Sequence, residues 1–125
     1  MEVLASRVLL RPADFTRSSA FYRHTLGLAV FREFAGGIVF FIGGGYLELS
    51  GTEGPVASDK ISLWLQVRDL AATHAVLAAR GVEVTEEPVL KFWGLWEARI
   101  RDPDGVLLVL VEVPDEHPLR RDQRG

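Results

Sequence analysis

Residues 7–30 and 62–84 carry one pattern twice, and such a repeat restricts the chain to folds made of two like units. The first copy opens R-V-L-L-R-P-A-D-F and the second S-L-W-L-Q-V-R-D-L. Each is an alternating strand that ends in an aspartate, Asp14 or Asp69, followed by an apolar residue, Phe15 or Leu70. Each then runs through about three helical turns to a glycine, Gly27 or Gly81. Aspartate before an apolar periodic run is an N-cap that accepts from the first turn's orphan N–H groups. Glycine after the run supplies the left-handed residue that ends a helix. Beyond the glycines stand Leu28-Ala29-Val30 and Val82-Glu83-Val84, each apolar, spacer, apolar. Matched caps at an offset of about 55 residues mark a tandem strand-helix-strands duplication.

The pattern predicts these elements in order. A strand over residues 4–11 leads to a helix over 15–26, then strands over 29–34, 38–42 and 46–50. Gly36-Gly37 and Gly43-Gly44-Gly45 mark the hairpin turns. Residues 51–59, rich in small and turn-forming types, read as a linker. The second unit repeats the order: strand 61–67, helix 70–80, a strand near 83–86, strand 95–101, the turn Asp102-Pro103-Asp104-Gly105, and strand 106–113. Residues 114–125 read as a frayed tail. At 125 residues and 48% apolar, the whole is expected to be one domain, with module one at 4–50 and module two at 61–113.

Composition removes several function classes. A net charge of −3 offers no basic field for a nucleic-acid backbone. The absence of cysteine excludes disulfides, thiolate metal sites and a cysteine nucleophile. No apolar run approaches the length of a membrane span, and the N-terminus lacks a signal-like pattern, so a cytoplasmic protein is expected.

Period-two alternation assigns faces. Arg7, Leu9 and Arg11 share one side of the first strand, with Val8 and Leu10 on the other. Ser62, Trp64 and Gln66 likewise oppose Leu63, Leu65 and Val67. The uniformly apolar sets are the helix-packed sides. The mixed sets look elsewhere, leaving a second sheet face open to a ligand or partner.

Three segments resemble the vicinal oxygen chelate superfamily, which includes glyoxalase I, extradiol dioxygenases and bleomycin-resistance proteins. They are Asp14-Phe15 with Phe21-Tyr22 and Leu26-Gly27-Leu28, Asp69-Leu70 with Leu77 and Gly81-Val82, and Trp93-Gly94 with Arg101-Asp102-Pro103-Asp104-Gly105. The resemblance spans residues 4–113. It implies an α+β fold of tandem βαβββ modules forming a curved mixed sheet, helices outside and a ligand cavity inside, in a homodimer. Catalytic members hold a divalent metal through histidines and glutamates on corresponding strands. Here the two histidine positions are Arg7 and Ser62, and the last-strand glutamate position is Val109. Only Glu48 matches an acidic ligand position. An oxophilic metal needs about three protein ligands, and arginine has no lone pair to give. No metal and no cofactor are therefore expected.

The candidate ligand-binding residues are Arg7, Leu9, Tyr46, Glu48, Ser62, Trp64, Gln66, Phe92, Trp93 and Val109. Arg7 is either the cavity's replacement positive charge, pairing with Glu48 or a ligand carboxylate, or a strand-end arginine reaching solvent or a partner. Trp64 and Tyr46 lie on the mixed face, and Lys91-Phe92-Trp93-Gly94 falls on a loop that the resemblance places over the cavity mouth. Phe40 and Trp96 are further candidates for an aromatic lining, although alternation sets Trp96 with Ala98 and Ile100 on the core side. His24 and His74 lie in the helices and His117 in the tail, so the histidines form no site. Ser18 and Ser19 have no nearby base. The leading expectation is a metal-free protein that binds a small, flat aromatic molecule or antibiotic, with no catalytic residue. The alternative is an enzyme, either a divergent metal-dependent lyase, isomerase or dioxygenase, or one using Arg7 and Glu48 as electrophile and base. A third reading reserves the open face for assembly alone.

Overall fold

The computed structural model describes residues 1–51 and 59–119, so most of the expected linker and the end of the tail lie outside the described residues. Its strands are β1 (Arg7–Leu10), β2 (Val30–Phe34), β3 (Gly37–Ile42), β4 (Gly45–Ser50), β5 (Ser62–Gln66), β6 (Glu83–Leu90), β7 (Trp96–Arg101) and β8 (Leu107–Glu112). Helix α1 covers Phe15–Ala20 and α2 covers Leu70–Ala79. Each module builds its own four-stranded mixed sheet, in the orders β1-β4-β3-β2 and β5-β8-β7-β6. The chain divides into two compact units, residues 1–57 with 103–105 and residues 58–102 with 106–125.

In the first unit, β1 pairs in parallel with β4, placing Arg7 beside Tyr46 and Leu9 beside Glu48. A parallel pair cannot be closed by a tight turn, so α1 supplies the crossover and covers one face. Asp14 caps α1, its carboxylate accepting from the Arg17 N–H. Leu47, Leu49, Ile38 and Phe40 are buried on the helix side. The expected continuous helix is interrupted: after Ala20 it widens into a π-helical turn over Phe21–Thr25. The Leu26 N–H reaches back to the Phe21 carbonyl at 2.8 Å. In an α-helix, neighbouring side chains diverge by about 100°, which would leave one of two successive aromatics outside. Here Phe21 and Tyr22 are both buried, edge to face with centroids 5.1 Å apart, and Tyr22 reaches Phe40 at 6.2 Å. β1 is shorter than expected because its partner β4 begins only at Gly45.

The turn residues Pro103–Gly105 belong to this first unit. The buried Ser18 hydroxyl donates to Asp104 Oδ2 at 3.1 Å, and Arg17 donates to the Pro103 carbonyl at 3.2 Å. The helix serine is thus a structural anchor for the turn.

In the second unit, β5 pairs in parallel with β8, opposing Trp64 to Val109. Asp69 caps α2 through the Ala72 N–H, and Glu112 accepts from the Leu70 N–H at 2.8 Å. Two carboxylates therefore meet the helix's positive end. Gly81, at φ 80°, ends α2 as its place in the repeat predicts. β6 runs four residues past its predicted end and contains Pro88, which an edge strand tolerates where pairing is irregular. Trp96 is a correction. It is 41% exposed at the end of β7, because the core row stops at Ala98, and it borders a cavity of about 270 Å³ beside Asp69, Leu70 and Glu112. The tail is anchored as far as described: His117 Nε2 bonds the Trp93 carbonyl at 3.0 Å, and Leu119 N–H donates to His117 Nδ1 at 3.2 Å.

Ser18→Ala removes a buried donor and leaves an Asp104 oxygen without it. The variant should lose roughly 1 kcal/mol in urea denaturation. An unchanged midpoint would show that the turn is held by other contacts.

Candidate functional site

The open face of the first sheet gathers four of the expected residues. Arg7, Leu9, Tyr46 and Glu48 stand side by side because β1 and β4 are in parallel register. Arg7 Nη1 donates to Glu48 Oε1 at 2.7 Å, and the Ser50 hydroxyl donates to Glu48 Oε2 at 2.7 Å. Both carboxylate oxygens are engaged. The Ser50 hydrogen bond, then the Arg7 guanidinium, hold the Glu48 carboxyl below the usual carboxylate range. A carboxylate held ionised and doubly bonded is a weak base. The guanidinium also lies over the Tyr46 ring, 5.8 Å from its centroid.

Aromatic residues extend this face toward β2. Phe31, Phe41 and Tyr46 contact one another with centroids 4.8–5.6 Å apart. Phe31 and Phe41 were missed by strand alternation. A register shift between Val30 and Arg32 turns Phe31 onto the ring cluster. Phe41 pairs with Tyr46 and so shares its face. A signal for Phe41 was available: counting back from the Gly43 turn pairs it with Tyr46.

The second sheet's open face carries Ser62, Trp64, Gln66 and Val109. Trp64 is 49% exposed, and Val109 is buried in an apolar cluster with Leu95, Leu107, Val111 and Val113. Val109 is thus packed beneath its neighbours, not displayed. Along β7 the same face presents Glu97, Arg99 and Arg101, which pair with Val111, Val109 and Leu107. Arg101 holds Asp59 through two bonds of 2.6 and 3.2 Å, and that guanidinium keeps the Asp59 carboxyl low. The Trp93 indole donates to the buried Glu97 at 2.7 Å. Trp93 is therefore tied to β7 by a bond that the sequence did not reveal. Phe92, 96% exposed, points into solvent with its ring edge-on to Trp93.

The expected residues thus form two groups, one on each unit's open face, with Phe92 and Trp93 on the β6–β7 loop. Among the described residues, no group of three or more His, Cys, Asp or Glu side chains is placed to hold a metal ion. No described helix is long and apolar enough to cross a membrane.

Comparison with known proteins agrees with this architecture. The model of the Glyoxalase/Bleomycin resistance protein/Dioxygenase superfamily matches residues 5–110. The chain is similar to a bleomycin resistance determinant encoded on transposon Tn5, at 29% identity and TM-score 0.71, over 89% of this chain and 98% of that one. A glyoxalase-related enzyme from Fulvimarina pelagi superposes at TM-score 0.75 with 20% identity, over 91% of this chain and 90% of that one. A glyoxalase/bleomycin resistance protein/dioxygenase from Nocardioides gives TM-score 0.75 with 17% identity, over 93% and 87%. No curated protein sequence matches the chain. With two βαβββ modules and a family match over nearly its whole length, the chain belongs to the Glyoxalase/Bleomycin resistance protein/Dioxygenase superfamily.

Proposed function

We propose that this chain is a metal-free binding protein that holds a small, flat aromatic molecule without covalent change. The carrying observation is the state of Glu48. It is the one acidic residue at a position where the resemblance expects a metal ligand, and Arg7 and Ser50 already occupy both its oxygens. Arg7, Ser62 and Val109 at the remaining positions offer no imidazole or carboxylate. This donor set does not fit a divalent metal. The exposed aromatic surface of Trp64 and of the Phe31–Phe41–Tyr46 cluster supports a flat ligand. The bleomycin resistance determinant among its structural relatives fits a binding role. Purified protein should carry less than about one-tenth equivalent of nickel, zinc, manganese or iron, and Trp64→Ala should weaken aromatic-ligand binding by roughly 1–3 kcal/mol. Near-stoichiometric metal by elemental analysis, or unchanged affinity in the variant, would sink this reading.

A homodimer is part of the proposal. Leu9, Phe31, Phe41 and Trp64 are exposed on the open faces, a supply of apolar surface that a second copy would cover. Sedimentation equilibrium at micromolar concentration should give twice the chain mass, and a single monomeric species would contradict it.

The Arg7–Glu48 pair should also show itself energetically. Each single variant, Arg7→Met or Glu48→Gln, strands the other partner, while the double variant strands neither. The Glu48 side chain is 15% exposed and that of Arg7 38%, so screening by water keeps the coupling to roughly 0.5–1 kcal/mol. Because the folded carboxyl lies below its ordinary value, the unfolded chain protonates first as pH falls. The coupling should be complete at neutral pH and vanish as pH drops through the depressed folded value. A double-mutant cycle in urea with no coupling at pH 7 would show that the pair does not form in solution.

A further inference from the structure

The charged residues on the open face of β7 alternate in fate. Glu97 is bonded by the Trp93 indole, and Arg101 by Asp59. Between them stands Arg99, whose Nε is buried and has no hydrogen-bond partner. Among the described residues no carboxylate forms an ion pair with its guanidinium. The nearest by register is Glu86, opposite Arg99 on the edge strand, and Lys91 forms an ion pair with that carboxylate. A buried guanidinium nitrogen without an acceptor costs free energy, which an oxygen-bearing ligand would return once the Arg99 side chain turns to meet it.

Register places Arg99 in a defined row. Trp64 pairs with Val109, and Val109 with Arg99, so the three lie across β5, β8 and β7 on one face. Two strand spacings separate Trp64 from Arg99, roughly 10 Å between backbones. Side chains on one face can close much of that gap, which matches the span of a fused aromatic ring with a polar substituent. On the first unit's open face, Arg7 already has Glu48, and Arg32 lies over the Phe34 ring with its charge acting on Glu48. Val109, buried beneath that row, keeps its floor apolar.

The geometry points to an anionic aromatic ligand, its ring on Trp64 and its carboxylate, or an equivalent oxyanion, on the Arg99 guanidinium. This rests on the binding role proposed above and adds the ligand's charge and the residue that selects it. Arginine's planar fork suits bidentate contact with such a group, and an unpaired guanidinium discriminates against a neutral isostere that offers one weaker acceptor.

The test is calorimetric titration with 2-naphthoate and with its neutral isostere 2-naphthamide. The folded wild-type protein should bind naphthoate about tenfold more tightly than naphthamide, a factor expected of one charge-assisted contact. Arg99→Gln should lower naphthoate affinity by about that factor and leave naphthamide within about twofold. Arg99→Lys should keep part of the preference, and with the wild-type comparison it provides a readout should Arg99→Gln fail to fold. Equal wild-type affinities, or a preference that survives in Arg99→Gln, would overturn the anion assignment alone. If neither probe binds, or if Trp64→Ala leaves naphthamide binding unchanged, the ligand face itself is wrong and the assignment falls with it.

Discussion

Every feature of the two open faces hangs on the parallel pairing of each module's first strand with its last. A parallel pair needs a crossover, and the helix that makes it seals one face of the sheet. The other face is thereby left to residues that need not be apolar. Register then decides which residues meet: Arg7 reaches Glu48, and Trp64 stands over Val109, only because β1 and β5 are aligned as they are with β4 and β8. A slip of one residue would send both guanidinium and indole to the helix side. The capping aspartates guard against that slip, since each fixes where its helix starts relative to the strand before it.

Duplication made two equivalent faces, and the substitutions since then have made them chemically unlike. On the first, Arg7 and Glu48 neutralise one another, Ser50 takes the remaining oxygen, and Arg32 adds a further positive charge in the row of Glu48 and Val39. On the second, the corresponding positions are Ser62 and Val109, and charge has moved one strand over to β7. There Arg101 is neutralised by Asp59 and Glu97 is hydrogen-bonded by the Trp93 indole, while the Arg99 Nε has no acceptor. The first face is consequently preorganised around an ion pair. The second keeps a guanidinium nitrogen without an acceptor.

Much of this was legible in the sequence, for a physical reason. Strand alternation, helix caps and turn glycines are local signals, and they located the modules, both crossover helices and the faces of β1 and β5. The Arg7–Glu48 contact is one of two readings that the sequence leaves open, and the parallel register of β1 and β4 brings it about. What local signals could not show depends on partners distant in sequence or on broken periodicity. Phe31 joins Tyr46 through an irregular pairing, and Trp96 escapes the core because the sheet ends beside it. The bonds from Trp93 to Glu97 and from Ser18 to Asp104 are side-chain choices that no alternation rule encodes. Arg99 passed unnoticed because its significance lies in what its neighbours bind.

The anchoring of Ser18 to Asp104 bears on the order in which the chain can become whole. The first unit takes its last three residues, Pro103–Gly105, from a stretch of chain that leaves the ribosome after the strands of the first sheet and after β5 through β7. Until then the Ser18 hydroxyl and the Arg17 guanidinium lack the acceptors that the finished unit gives them. An emerging polypeptide can pair β1 through β4 early, yet that half stays unfinished until Pro103–Gly105 have been made. Synthesis thus imposes a late closing step on the half that is made first, and part of that half's stability is borrowed from the turn that precedes β8.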